Sequence, residues 1–194
     1  MTSKDSSCTA YVMFVMYSRF SSNGGKIVVH MARRKKYKVG DQVVYPQHGV
    51  ATIQKIEDKE VLGEVTPYLV LELDEGDLTL MVPAAAVEEV GIRNLIGKEQ
   101  VEEVLRVLRR GKVTDGADNW SRRFKANSEK LRTGDIQQVA EVVRNLSIRD
   151  RSKGLSTGER RMLNRARKIL SGEIAVALKL DAEEAEAVLE KALT

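Results

Sequence analysis

The sequence predicts an α+β protein in which a small β-barrel precedes a bundle of about five helices. Short β-type runs punctuated by glycine fill the first half, whereas the apolar residues after Gly97 recur with the 3.6-residue period of a helix. The charge changes at the same place, because residues 38–94 contain 4 basic and 11 acidic residues and residues 95–172 contain 19 and 10. With 194 residues, the chain is long enough for two small cores. We therefore expect domains at residues 37–94 and 95–194.

Residues 1–36 share neither pattern. The apolar run at residues 11–17 is too short to span a bilayer, which takes about 20 residues. A secretory signal is not favoured either, since Asp5 cancels the charge of Lys4 before the run. We expect a disordered leader without function and no membrane association, and translation from Met31 is an alternative start for the native protein.

Four strands are predicted in the barrel, at residues 42–45, 50–56, 67–73 and 78–82. The last two should form a hairpin in which Leu71 and Leu80 line up across the pair, with residues 74–77 as the turn. That acidic turn could also be a calcium loop, but it lacks the ligand spacing and the distal glutamate of an EF-hand. A plain turn is the favoured interpretation.

Helix periodicity and capping residues locate the helices that follow. The first carries Val101, Val104, Leu105 and Leu108 on one face and ends near Gly111. The next runs to Arg132 and closes at Gly134. The predicted caps of the four helices after the first are Asn119 or Ser121, Asp135, Ser156 with Glu159, and Asp181 with Glu184.

Catalysis and metal binding have little support in the sequence. Cys8 is the single cysteine, which excludes an internal disulfide, and His30 and His48 are the two histidines. We find no nucleophile with a plausible base and no glycine-rich phosphate loop. The sequence therefore predicts a non-enzymatic, reduced, cytoplasmic protein without a cofactor.

The only tryptophan, Trp120, lies in residues 119–125, where three of seven residues are basic. Such a ring among cations is typical of nucleic-acid contacts, although a core tryptophan on a helix with a solvated basic face is an equal alternative. Residues 144–168 add nine basic residues against two acidic ones. A net charge of +7 over so short a stretch favours a polyanionic partner.

Several motifs together carry a family resemblance. They are residues 38–41 (KVGD), 44–49 (VYPQHG), 68–71 (YLVL), 119–123 (NWSRR), 140–144 (AEVVR) and 155–163 (LSTGERRML). In these motifs the chain resembles the CarD/CdnL family of bacterial transcription regulators, and the match covers residues 37–193. The first-domain motifs are also shared with transcription-repair coupling factors.

The resemblance implies a Tudor-like or SH3-like module that binds the RNA polymerase β subunit, with Lys59 and Met81 at the positions that match the family's polymerase contact. Only Lys59 keeps the positive charge that some members have at both positions. The helical domain would bind promoter DNA in the minor groove with little sequence specificity, and Trp120 would act as a wedge at the upstream edge of the melted bubble, stabilising the open complex. The implied DNA-contacting residues are Trp120, Arg122, Arg123, Lys125, Arg144, Arg160 and Arg161.

These implications predict a monomeric transcription regulator that associates with the nucleoid through the polymerase. Phe124 departs from the family pattern, since it can pack but cannot donate a hydrogen bond. A different class also fits the sequence, namely a sequence-nonspecific architectural DNA-binding protein whose β module serves for self-association.

Overall fold

The computed structural model describes residues 37–61, 63–73, 78–111 and 119–194. An antiparallel five-stranded sheet forms the first part and helices form the second, which confirms the α+β class. The strands are β1 (Gln42–Tyr45), β2 (Gly49–Val61), β3 (Glu64–Leu73), β4 (Thr79–Pro83) and β5 (Arg93–Asn94). They lie in the order β4-β3-β2-β1-β5. The predicted leader, with Cys8 and His30, lies outside the described residues.

The β3–β4 hairpin agrees with the sequence, because Leu71 pairs with Leu80 across it. Its turn, proposed as either a plain turn or a calcium loop, falls in residues 74–77 outside the described part. β2 is longer than predicted, since it continues to Val61 and pairs Lys59 with Thr66 of β3. The residues of the extension are exposed or partly buried and mostly charged, so it lacks the apolar alternation on which the prediction rested.

Six helices follow one another in the described residues. They are α1 (Val87–Val90), α2 (Lys98–Leu108), α3 (Trp120–Thr133), α4 (Ile136–Lys153), α5 (Thr157–Leu178) and α6 (Ala182–Leu193). The predicted caps are confirmed where α3 to α6 begin: Asn119 and Asp135 accept backbone N–H bonds, and Ser156 and Asp181 form capping boxes. Among these helices, none is both long and apolar enough to span a membrane.

α4 lies at the centre of the helical part, where it contacts α2, α3 and α5. Its Val142, Val143 and Leu146 are completely buried, together with Leu170 of α5 and Leu189 of α6. The sheet has a separate core built from residues such as Val43, Ile53 and Leu71. The two halves of the sequence therefore build two hydrophobic cores.

The sheet and the helices pack against each other along α5, where Ile169 lies against Gly49 of β2. Gly134 ends α3 with a φ of 71°, and a Cβ there would lie 3.4 Å from the Pro46 ring, so the turn before β2 seats directly on this helix end. Arg93 of β5 donates through Nε to the Gly134 carbonyl at 2.8 Å, and its Nη2 lies 2.6 Å from Oε1 of Glu173. This ion pair joins the last strand to the C-terminal half of α5.

Candidate nucleic-acid interface

Trp120 is the first residue of α3, and 51% of its surface is exposed. The Asn119 side chain caps the helix by accepting from the backbone N–H groups of Ser121 and Arg122, so the chain turns into α3 immediately before the tryptophan. Half exposure of the largest side chain type is unusual. The interpretation of Trp120 as core filler is therefore wrong.

The exposure follows from where the helices begin. Arg123, Asn127 and Leu131 are buried at four-residue spacing along one face of α3, and Trp120 lies three residues before Arg123 on that face. The partner helix α5 starts only at Thr157, so the Trp120 ring packs at the N-terminus of α5 and not along its side. Trp120 consequently lies at the edge of the helical part, where half of its surface is exposed.

Phe124 supports the ring from below. The two aromatic rings stack with centroids 5.3 Å apart and planes inclined by 29°. Phe124 in turn lies against Gly158, where an added Cβ would be 3.2 Å from the ring edge. The glycine at the second position of α5 thus makes room for the aromatic pair.

A hydrogen-bonded network ties α3 to the start of α5. The Trp120 Nε1–H donates to Ser156 Oγ at 3.0 Å, and this hydroxyl donates to Glu159 Oε2 at 2.8 Å. On the other side of the carboxylate, Arg123 donates from Nε to Oε1 at 2.9 Å, and its Nη2 lies 2.8 Å from the same oxygen. Both charged side chains are only 2% exposed. Trp120 and Arg123 of α3 are therefore hydrogen-bonded to Ser156 and Glu159 at the start of α5, respectively.

The charge state of Glu159 is set by its donors. Burial alone would raise the pKa of this carboxyl, but hydrogen bonds from Ser156 and Arg123 outweigh burial and lower the pKa below its ordinary value. Glu159 is therefore ionised at neutral pH and keeps its ion pair with Arg123.

Arg123 and Arg144 do not lie where a DNA backbone could reach them. Arg123 is enclosed by its pair with Glu159, and Arg144 is 1% exposed and donates to the Val107 carbonyl and to Asn145 Oδ1. Their prediction as phosphate contacts is corrected on this ground: both guanidinium groups satisfy polar atoms inside the helical part.

The remaining predicted cations are at the surface. Arg122 and Lys125 are exposed on α3, and Arg160 and Arg161 are exposed in the first turn of α5. Only Arg160 of these four is close to a carboxylate in the ion pairs of the described residues, 3.6 Å from Asp150. The N-termini of α3 and α5 meet at the Trp120–Ser156 hydrogen bond, so the positive ends of two helix dipoles add to this charge.

Sequence reasoning identified Ser156 and Glu159 only as a capping box. Nothing in the sequence pairs them with Trp120 and Arg123, which lie 36 residues away. One signal was available for Arg123, because it stands eight residues before the apolar Leu131 and shares its helical face.

The two residues predicted to contact polymerase are neighbours in the sheet. Lys59 of β2 points its Nζ at Met81 Sδ, 3.2 Å away, across the intervening strand β3. The Lys59 side chain is 42% exposed and lies 3.4 Å from a Glu57 oxygen. Met81 belongs to β4, an edge strand of the sheet.

Comparison with known proteins gives concordant matches. The CarD-like/TRCF RID domain matches residues 37–96, and the CarD C-terminal domain matches residues 103–190. The chain is also similar to the protein named "Putative transcription factor YdeB" of Bacillus subtilis (strain 168), with 34% identity over 140 residues. That alignment covers 72% of this chain and 91% of the relative.

Proposed function

The chain belongs to the CarD family of transcription regulators, and on that premise we propose that it binds the RNA polymerase β subunit through its sheet and stabilises the open promoter complex through its helices. The observation that carries the proposal is the exposed Trp120 at the end of the bundle. An aromatic ring fixed at a corner can enter a distorted minor groove, where an apolar side chain offsets the unstacking of a base step.

The surroundings of the ring suit a phosphate backbone. Arg122 and Lys125 are exposed on α3, Arg160 and Arg161 are exposed near the start of α5, and the N-termini of these two helices meet at the ring. Phosphate contacts of this kind fix the position of a protein on DNA but do not read sequence. We therefore expect binding with little sequence preference, at the upstream edge of the melted region.

On the polymerase side, the proposal rests on the sheet. β4 is an edge strand, and such strands can pair with a strand of a partner protein. Lys59 and Met81 form a contiguous mixed surface beside it, with an aliphatic stem, a thioether and one positive charge. A partner strand paired with β4 would lie beside Met81, whose thioether the Lys59 amine contacts from across β3.

The test is the half-life of open complexes formed by purified bacterial RNA polymerase with the full-length protein. Trp120→Ala should shorten the half-life about tenfold, since stacking on an aromatic ring is worth about 1–3 kcal/mol and about 1.4 kcal/mol is a factor of ten. Retention of the protein by polymerase should not change.

Lys59→Ala combined with Met81→Ala serves as the reciprocal control. It should weaken retention by polymerase and leave binding to DNA alone intact. Equal half-lives for Trp120→Ala and wild type would refute the wedge. Full-length protein that binds DNA but is never retained by the β subunit would favour the architectural alternative.

A further inference from the structure

The hydroxyl of Ser156 has its entire hydrogen-bonding capacity in use. It accepts from the Trp120 indole at 3.0 Å and from the backbone N–H of Glu159 at 3.3 Å, and it donates to Glu159 Oε2 at 2.8 Å. A hydroxyl has one proton to donate and two lone pairs to accept with. Because the proton is directed at the Glu159 carboxylate, a lone pair faces the indole N–H.

The carboxylate that orients this hydroxyl is itself held on its other oxygen. Arg123 binds Oε1 of Glu159, and Arg149 lies 3.8 Å from the same oxygen. Glu159 and Arg123 are both 2% exposed, so neither can turn away into solvent. The Ser156 hydroxyl is therefore oriented by a buried ion pair, although Ser156 and Trp120 are themselves exposed.

We propose that Ser156 is a positioning residue for Trp120: it fixes the indole by its N–H, and the buried Arg123–Glu159 pair fixes Ser156. Without this bond, the Trp120 side chain would keep its stacking on Phe124 but lose the contact that fixes its indole N–H. The hydrogen bond selects one orientation of the exposed ring before DNA is present. The functional part of this proposal rests on the proposed function.

Trp120 reports on its own position, because it is the only tryptophan in the chain. Ser156→Gly removes the hydroxyl but leaves a residue that is accepted at an N-cap with a loss of only a few tenths of a kcal/mol. We expect stronger acrylamide quenching and lower fluorescence anisotropy of Trp120 in this variant, with an unchanged far-ultraviolet circular dichroism spectrum. Ser156→Thr, which restores a hydroxyl, should recover the wild-type fluorescence.

Asp181→Gly is the matched control, since Asp181 caps α6 with an equivalent capping box and does not contact Trp120. It should leave the fluorescence of Trp120 unchanged. If Ser156→Gly and Asp181→Gly alter quenching equally, or if neither does, the positioning role is overturned.

A double-variant cycle connects the bond to function. Ser156→Gly should shorten the open-complex half-life roughly two- to tenfold, the range expected for one lost hydrogen bond. In a Trp120→Ala background it should have no further effect. The same shortening in both backgrounds would overturn the proposal, because Ser156 would then act independently of the ring. Changed quenching together with a half-life insensitive to Trp120→Ala would refute the proposed function and leave the positioning role intact.

Discussion

Two arginine–glutamate pairs occupy different places in this protein. Arg123–Glu159 lies wholly within the helical part beneath Trp120, with both side chains 2% exposed. Arg93–Glu173 joins the sheet to α5, and there the glutamate is completely buried whereas the arginine is 26% exposed. The first pair orients the site around Trp120, and the second pair holds the sheet against the helical part.

The two glutamates respond to their surroundings in opposite ways. Burial raises the pKa of Glu173, and the hydrogen bond and charge of Arg93 offset this only in part. Glu159 receives additional donors from Ser156, and its pKa is lowered despite burial. Glu173 also accepts from the backbone N–H of Ile96, so the two carboxyls differ in how far donors and charge offset burial, and not in whether an arginine is present.

The largest effect should come from the enclosed pair. Arg123→Ala leaves Glu159 buried with fewer donors and opens a cavity, and we expect it to lower the free energy of unfolding by about 3–5 kcal/mol. Urea denaturation measures the loss. The adjacent exposed Arg122→Ala is the control and should stay within about 0.5 kcal/mol of wild type. Similar losses for the two variants would mean that Arg123 is not enclosed.

Arg93→Ala should cost less, because its guanidinium is partly in water and Glu173 can take up a proton. We expect about 2–3 kcal/mol, between the values for exposed and for fully buried pairs. Calorimetry should show the sheet and the helices unfolding in separate transitions once the pair between them is lost. A single transition at an unchanged temperature would contradict a role of Arg93 in joining the domains.

Smaller effects are expected on the pH dependence of stability, which should differ in sign between Glu159 and Glu173. A lowered folded-state pKa contributes stability that is present above the ordinary glutamate pKa and lost as pH falls through the folded value. The advantage of wild type over Glu159→Gln should therefore shrink on acidification.

A raised folded-state pKa has the opposite sign, because the folded protein then binds a proton more readily than the unfolded chain. Wild type should gain relative to Glu173→Gln as the pH falls from about 7 to about 4, through the usual glutamate range. Urea midpoints at a series of pH values measure both differences. If both differences shrink alike, the contrast between the pairs does not hold.

The smallest effects concern the exposed cations of α3, the helix that carries Arg123. Arg122→Ala or Lys125→Ala should weaken DNA binding and reduce the salt slope by about 0.9 per lost phosphate contact, without changing stability. Arg132→Ala, exposed at the other end of α3, is the control and should leave the slope unchanged. If the salt dependence of DNA binding is the same for all three variants, Arg122 and Lys125 do not contact phosphates.

Local features of this fold were predictable from sequence. Asn119, Asp135 and the Ser156 capping box begin helices because a cap satisfies backbone N–H groups within three residues of itself. The short α1 and the two-residue β5 were missed, because neither is long enough to show a period. β5 nevertheless carries Arg93, so the prediction omitted the strand that bonds to α5.

The candidate site was predictable in composition but not in arrangement. Counting basic residues identified the region, and the family resemblance implied Arg123 and Arg144 as DNA contacts together with the exposed cations. Whether a helical arginine faces solvent depends on the helices packed around it, and Glu159 and the Val107 carbonyl belong to segments distant in sequence. Exposure of Trp120 likewise depends on where α5 begins.

α5 also connects the sheet to the tryptophan. Glu173 anchors it to the sheet, and Ser156 lies at its far end beneath the tryptophan, about 25 Å away at 1.5 Å per residue. Tilting the helix about its anchored end by about 5° would displace the ring by about 2 Å, more than half the separation of stacked base pairs. If the packed helices moved with α5 as one body, a displacement at the sheet would redirect the tryptophan without changing its local contacts.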